Sequence, residues 1–481
     1  MLLSGNHHPA ACSRPEFCYA DDHYYDHIHN YFYLHSNNYT DPISYLDHHL
    51  NNHTFAYPPA NSYPYVHTHL DFYAYIHFHT KPNADTNSNL HRYAYFHIYR
   101  HTCPTLTHRH PADPLILPAN TQFQMTDITP FLKELLTAPG LSGYEDSVAE
   151  IIFSKWTPLV DTINRGKLGS LHGFRHGTGK SPRPSVMVAA HMDAIGLMVT
   201  GIVDGFLRLT DVGGVDPRVL PGTLVTVYAS GAQGHPPIPG LVVQPSIRLL
   251  PPELGLNPVP LEYLFVDTGL SPSKVEQLVR VGDTVSFAQP PVELSGETIA
   301  GHSLDNRASV AALTICLEEL QTRPHIWDVW AVATTQEEGG MKGAIGSTFE
   351  LHPTIAIALD VTFAKGPGAS DWQTVPFGKG PTLCTGPNIH PAMHKAMLDL
   401  AERLEIPYGL EYTPRHTGTD GFATQVAAEG VPTLVVGIPL RYMHTPVELV
   451  AIKDIQRAGR LLAEFIAGLP VDFMEKITWD D

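Results

Sequence analysis

Hydrophobic patterning after residue 124 divides the chain into short apolar runs and amphipathic segments that alternate. The runs "SVMVAAH", "WAVATTQ", "TIAIALD" and "TLVVGIP" are almost continuously apolar, as are strands buried on both faces of a parallel sheet. Between them, segments 307–321 and 453–467 repeat apolar residues at helical spacing along one face. The pattern predicts an α/β fold with a mostly parallel central sheet flanked by helices.

The pattern changes at residues 198–293, where short apolar pieces such as "GIVDGFLRLTDVGG" and "PGTLVTVYAS" are separated by Gly and Pro. Short β-rich pieces with frequent turns are typical of a small barrel or sandwich. We predict an inserted small β-barrel domain. The α/β domain then comprises residues 125–197 and 294–472, and residues 473–481 form a C-terminal tail.

Residues 1–124 differ in composition from the rest, since they hold 18 of the 29 histidines and 15 of the 21 tyrosines. Leu, Ile and Val at regular period are nearly absent, so this segment cannot bury enough surface to offset its ordering entropy. We predict that it is disordered, or that it is an upstream extension and the protein normally starts at Met125. A metal-loading arm is the alternative, but the histidines show no fixed ligand spacing.

Charge and hydropathy limit the kinds of molecule that this protein is expected to bind. The chain of 481 residues has 30 Lys and Arg against 48 Asp and Glu, a net charge of -18, which argues against nucleic acid or an anionic membrane. No apolar stretch reaches the roughly 18 to 20 residues of a membrane span. The five cysteines are scattered without metal-site spacing and are interpreted as free thiols. These features predict a cytoplasmic protein with a small or peptidic substrate.

Polar residues that suit a divalent metal follow several of the apolar runs, at the strand ends where an open α/β sheet places its active site. They are His191, Asp193, Asp305, Glu337, Glu338, Asp360 and His444. Each alone has an ordinary structural explanation, such as a core histidine or a helix cap. Because metal-type ligands come from five separate segments, the combination favours a metal site. Two imidazoles and several carboxylates suit zinc or cobalt, with manganese also possible.

This ligand set would over-supply one ion but suits two, about 3.5 to 4 Å apart with one bridging carboxylate. Asp305 is the natural bridge. His191 and Asp193 share one face of a strand, so one can ligate while the other orients it. Of the adjacent Glu337 and Glu338, one would ligate and the other would take a proton from water. The residue types alone do not rank these two.

From Met125 to about Leu469 the chain resembles the family of glutamyl aminopeptidases and tetrahedral aminopeptidases. The resemblance rests on motifs in the family's order: "AAHMDAIG", "GHSLDNRASV", "TTQEEGGMKGA", "IALDVT", "GTDGF" and "RYMHTP". It implies a zinc-peptidase-like fold, two metal ions per subunit, and an inserted barrel that makes dimers, which assemble into a hollow dodecamer.

Carried over by position, the resemblance assigns the individual roles. It implies Glu337 as the general base and Asp193 as a second catalytic residue that acts by orienting its neighbours. The implied metal ligands are His191, Asp305, Glu338, Asp360 and His444. The chain departs from the family's usual pattern at Ala194 and Gly339, neither of which is a ligand.

The function that these residues predict is a metallo-aminopeptidase that removes N-terminal residues from peptides. The nearest alternative is a two-metal deacylase or carboxypeptidase that acts on N-acylated amino acids. A non-catalytic metal-binding protein with a histidine-rich arm is a further alternative. We expect peptide substrates and a homo-oligomer, at least a dimer, with a dodecamer as the larger assembly.

Overall fold

The computed structural model describes residues 127–254, 257–371 and 373–477 and, within the histidine-rich segment, the backbone of two strands. These strands, β1 (Tyr73–His79) and β2 (Tyr93–Tyr99), pair antiparallel with each other. The sequence analysis did not anticipate this pair. The rest of residues 1–124, where disorder was predicted, lies outside the described residues, and so does the proposed start at Met125.

The described residues from 127 onward belong to a second unit, built around an eleven-stranded mixed sheet. The strands are β3 (Thr162–Arg165), β4 (Leu171–Arg175), β5 (Ser185–His191), β12 (Val292–Leu294), β13 (Thr298–Gly301), β14 (Asp328–Thr334), β15 (Ile355–Phe363), β16 (Thr382–Thr385), β17 (Gly409–Tyr412), β18 (Thr433–Arg441) and β19 (Glu448–Ala451). Their order is β12-β13-β19-β18-β15-β5-β14-β4-β3, with β16 beside β18 and β17 beside β16. The central strands β18, β15, β5 and β14 are parallel, and most others pair antiparallel.

Helices cover both faces of this sheet, which explains why its central strands are apolar throughout. Along β5, Val186, Val188 and Ala190 face one hydrophobic core, and the alternate residues Met187 and Ala189 face another. The helices are α1 (Thr129–Thr137), α2 (Asp146–Trp156), α3 (Pro272–Leu278), α4 (Leu304–Leu320), α5 (Lys342–Leu351), α6 (Pro391–Arg403), α7 (Asp420–Val426) and α8 (Ile452–Gly468). The predicted α/β fold is confirmed.

A closed six-stranded barrel interrupts the α/β pattern, as predicted. Its strands alternate between inward apolar residues, such as Val225 and Val227, and outward ones. They are β6 (Gly196–Val203), β7 (Phe206–Val212), β8 (Leu224–Tyr228), β9 (Ile238–Val243), β10 (Phe265–Asp267) and β11 (Thr284–Phe287). The predicted domain limits, 198–293 among them, stay a prediction.

No helix in the described ranges combines the length and the hydropathy that crossing a bilayer requires.

Candidate metal centre

The parallel strands bring the predicted site residues to one edge of the sheet. His191 is the last residue of β5, Asp360 lies near the end of β15, and His444 follows β18 by three residues. Glu337 and Glu338 follow β14 in a turn where the Glu337 carbonyl accepts the Gly340 N–H at 2.8 Å. Because all four strands point the same way, their carboxyl ends meet.

Asp305 enters the same space from the start of α4. Its backbone and that of Asn306 are not helical, and the regular helix begins after them, at about the predicted Arg307. The Asn306 side chain donates to the carbonyl of Leu359, one residue before Asp360, at 2.9 Å. The irregular first turn therefore presents the Asp305 carboxylate to the strand ends.

Two groups of candidate ligands share Asp305. In the first, His191 Nε2 lies 3.2 Å from Asp305 Oδ1 and 3.7 Å from Asp360 Oδ1. In the second, His444 Nε2 lies 3.5 Å from Asp305 Oδ2 and 3.5 Å from Glu338 Oε1. Within each group the donor atoms all lie within 4.8 Å of one another. Glu337 Oε2 lies beside the first group, 3.9 Å from His191 Nε2.

Asp193 is fully buried and lies on the other side of the His191 ring. Its Oδ1 is 3.5 Å from His191 Nδ1, so the opposite nitrogen of the ring faces Asp305 and Asp360. The same carboxylate accepts the backbone N–H of Glu337 at 3.0 Å and that of Glu338 at 3.1 Å. Asp193 therefore orients one imidazole and the backbone of both glutamates.

Burial and mutual repulsion raise the pKa values of the two glutamates. Burial raises the pKa of Glu337 to about 10, with the charges of Asp360 and Asp420 adding to the effect. Burial also raises the pKa of Glu338 to about 7, although a hydrogen bond with His444 opposes it. Carboxylates crowded in a buried space need a cation beside them to stay ionised.

The pKa values of Asp305 and the two histidines are instead shifted so that their charged forms are favoured. Burial works against the charge of Asp305, but hydrogen bonds with His191 and His444 lower its pKa to about 2. Hydrogen bonds with Asp305 and Glu338 raise the pKa of His444 to about 11. Burial alone would lower the pKa of His191, yet its carboxylate neighbours raise it well above the ordinary value. The positive charge of the two protonated imidazoles and the negative charge of Asp305 therefore stabilise each other.

The donor set fits divalent metal ions. It combines imidazole nitrogens with carboxylate oxygens, the ligands of zinc, cobalt and manganese sites. Glu338 Oε1 is buried, and among the described residues it makes no hydrogen bond of good geometry, since His444 Nε2 lies 3.5 Å away. A buried carboxylate oxygen without a well-made hydrogen bond is costly, and ligation to a cation would satisfy it.

Three more buried carboxylates lie around this group, and the sequence analysis missed them: Glu145, Asp420 and Glu448. Glu145 accepts the backbone N–H of Gln336 at 3.1 Å, and Asp420 accepts the Thr334 hydroxyl at 2.5 Å. Asp420 stands in the motif "GTDGF" and Glu448 follows His444 by four residues, so both lie in or beside motifs that the sequence analysis used. Gln336 and Thr334 are remote along the chain from the carboxylates that they contact, as Asp305 is from Glu448, and residue spacing gives no signal for such contacts.

The barrel also touches the site, through the two glycines that follow β7. His444 Nδ1 lies 3.0 Å from the carbonyl oxygen of Gly214, so its N–H donates there and Nε2 faces the carboxylates. A side chain at Gly213 would lie 2.7 Å from Ile195 Cγ2 and 3.1 Å from Glu338 Cβ. Gly213 also has a φ of +82°, so only glycine lets the barrel approach this closely.

Comparison with known proteins identifies the family of this chain. A family model described as M42 glutamyl aminopeptidase matches residues 169–461. The chain is 35% identical over 347 residues to a lysyl aminopeptidase of Pyrococcus furiosus, covering 71% of this chain and 98% of that protein.

Solved structures of aminopeptidases are also similar to this chain. An aminopeptidase of the archaeon Desulfurococcus kamchatkensis superposes with a TM-score of 0.67 at 31% identity, covering 73% of this chain and 97% of that one. The TET1 peptidase of Pyrococcus horikoshii, described as able to assemble into a tetrahedron or a large octahedral shell, gives 0.61 at 26% identity. That superposition covers 71% of this chain and all of the other.

Proposed function

From the premise that this chain belongs to the M42 glutamyl aminopeptidase family and is a metal-dependent aminopeptidase, we propose how its site holds metal and cleaves peptides. The chain would hold two divalent ions, and Asp305 would contribute to both sites. His191 and Asp360 would complete the first site, and Glu338 and His444 would complete the second. The observation that carries this proposal is the placement of Asp305, whose two oxygens face two different imidazoles at 3.2 and 3.5 Å.

In this proposal Glu337 is the general base. Divalent ions at such a site lower the pKa of water and polarise a carbonyl group. The Glu337 carboxylate removes the proton from the attacking water and then delivers it to the nitrogen of the leaving amine. Its position suits this role, because Glu337 Oε2 lies beside the first group of candidate ligands, 3.9 Å from His191 Nε2. Asp193 orients the Glu337 carboxylate, because it accepts a hydrogen bond from the Glu337 backbone N–H.

The proposed ions are zinc or cobalt, with manganese as a third possibility. The ligand set contains two imidazole nitrogens together with carboxylate oxygens, which suits borderline cations better than Mg²⁺ or Ca²⁺. The proposed substrates are peptides with a free amino terminus.

We also propose that the chain is a homo-oligomer, at least a dimer, with a dodecamer as the larger assembly, held together through the barrel at residues 198–293. Leu224 and Leu241 are paired across strands β8 and β9, and they are 62% and 38% exposed. Paired apolar side chains on a barrel surface are candidates for burial against a second copy. The proposed compartment is the cytoplasm, whose reducing conditions suit the free thiols of Cys316 and Cys384.

Metal analysis of variants tests the shared-bridge arrangement. After equilibration with limiting zinc, the unaltered protein should hold two ions per chain. Asp360→Asn and Glu338→Gln should each hold about one, whereas Asp305→Asn should hold neither firmly, because both sites lose a ligand. Two firmly bound ions in Asp305→Asn would overturn the proposal.

A further inference from the structure

Glu448 joins the backbones of two candidate ligands. This residue begins β19 and is 1% exposed. Its Oε2 accepts the backbone N–H of Asp305 at 3.0 Å, and its Oε1 accepts the backbone N–H of His444 at 3.0 Å. One carboxylate thus ties the start of α4 to the loop after β18.

The backbone on both sides of this tie adopts conformations that L-residues avoid. His444 has a φ of +61° and Tyr442 a φ of +60°, and Ser303, two residues before Asp305, has a φ of +70°. Non-glycine residues in the left-handed region cost free energy and persist only where their surroundings hold them. The Glu448 carboxylate is such a support, because it binds the His444 N–H directly.

His444 needs this support more than His191 does. The His191 side chain is 2% exposed and follows directly from a central strand, whereas the His444 side chain is 35% exposed and lies in a loop. Its ring donates from Nδ1 to the Gly214 carbonyl. The position of its backbone depends on Glu448.

We propose that Glu448 is a positioning residue for the second metal site, which it preorganises by fixing the distance between the main chains of Asp305 and His444. The inference rests on the proposed two-metal function. Only a carboxylate can make both contacts, because both of its oxygens accept hydrogen bonds. A glutamine offers one acceptor oxygen and turns a donor towards the other N–H.

The chain supplies a matched control in Asp454. This carboxylate is also fully buried and also accepts two backbone N–H groups, from Gly380 at 2.7 Å and Gly378 at 2.8 Å. None of the candidate ligands lies in the loop that it holds. Asp454→Asn therefore removes the same kind of contact without touching the site.

The experiment is a calorimetric titration of zinc into metal-depleted full-length protein, unaltered or carrying Glu448→Gln or Asp454→Asn. Outer partners of metal ligands typically contribute 10- to 100-fold to metal affinity. We expect Glu448→Gln to bind one of its two ions about 10- to 100-fold more weakly, and Asp454→Asn to bind both ions as the unaltered protein does. The zinc concentration for half-maximal activity should rise in parallel in Glu448→Gln, and excess zinc should restore most of kcat.

Each contrary outcome has a distinct meaning. Two ions bound by Glu448→Gln with unaltered affinity, or equal losses in Glu448→Gln and Asp454→Asn, would overturn the positioning role alone. Failure of the unaltered protein to bind two ions would overturn the proposed function as well. If Glu448→Gln does not fold, Glu448→Asp keeps the charge but shortens the reach by one methylene, and the same weakening is expected of it.

Discussion

The carboxylate of Asp193 accepts a hydrogen bond from the backbone N–H of Glu337 at 3.0 Å. Its second oxygen accepts the N–H of Glu338, and the same side chain lies beside the His191 ring. Asp193→Asn leaves one acceptor where two are needed, so the proposed base should lose its alignment. We expect kcat to fall about 10- to 100-fold while most of the metal is retained, as measured by steady-state kinetics and metal analysis. An unchanged kcat would show that this contact does not position the base.

Glu337→Gln tests the proton-transfer role itself. The amide has the shape of the carboxylate but cannot accept the proton of water. The expected result is a fall in kcat of about 10² to 10⁴-fold, with both ions bound as in the unaltered protein. Near-normal turnover with full metal content would show that another group is the base.

The sequence predicts those parts of the fold that depend on local patterns. The run "SVMVAAH" coincides with β5, and "TLVVGIP" lies within β18. Strands buried on both faces carry an apolar residue at every position, so their location is evident from the chain alone. The antiparallel strands outside the parallel centre are short and carry no such signal, which is why the mixed character of the sheet was not predicted.

The candidate site divides in a similar way. His191, Asp305 and Glu337 are residue types common in metal sites, and each lies beside a strand or helix that the sequence predicts. Glu145 and Glu448 were not predicted, because each accepts a backbone N–H from a residue far away in sequence, Gln336 for Glu145 and Asp305 for Glu448. The packing of the strands decides which backbone N–H a buried carboxylate contacts, and local sequence patterns do not predict that packing.

His302 should make the protein sensitive to acid. Burial lowers its pKa to about 3, with the charge of Arg307 adding to the effect. Nδ1 has no hydrogen-bond partner in the described part of the chain, and the ring packs edge-on against Phe287. Below pH 6.5 the unfolded chain binds a proton here that the folded chain refuses, so stability falls as the pH drops towards 3.

His302→Phe removes this proton uptake and keeps the aromatic contact. Between pH 7 and pH 5, the unaltered protein should lose about 2 kcal/mol more of its free energy of unfolding than the variant does. Urea unfolding of the metal-depleted proteins at both pH values measures this difference. Equal losses in the two proteins would show that His302 is protonated in the folded state.

Leu224 and Leu241 test the proposed assembly. Leu224→Glu places a charge on the apolar pair at the barrel surface, which an interface would have to bury. We expect light scattering to report an oligomer for the unaltered chain and a smaller species for the variant. The comparison should be made both in the full chain and in a chain that begins at Met125. A monomer in every case would contradict the oligomer, and assembly only in the shorter chain would show that residues 1–124 obstruct it.

The most direct test of the two-metal aminopeptidase is its activity as zinc or cobalt is added back to metal-depleted protein. A panel of aminoacyl anilides, each with its N-acetyl form, serves as substrate. We predict no turnover without metal, a rise in activity that levels off at two ions per chain, and cleavage of free-amine substrates only. Turnover by the metal-free protein would contradict the account, and so would full activity at one ion per chain or a preference for the acetylated compounds, which would indicate a deacylase.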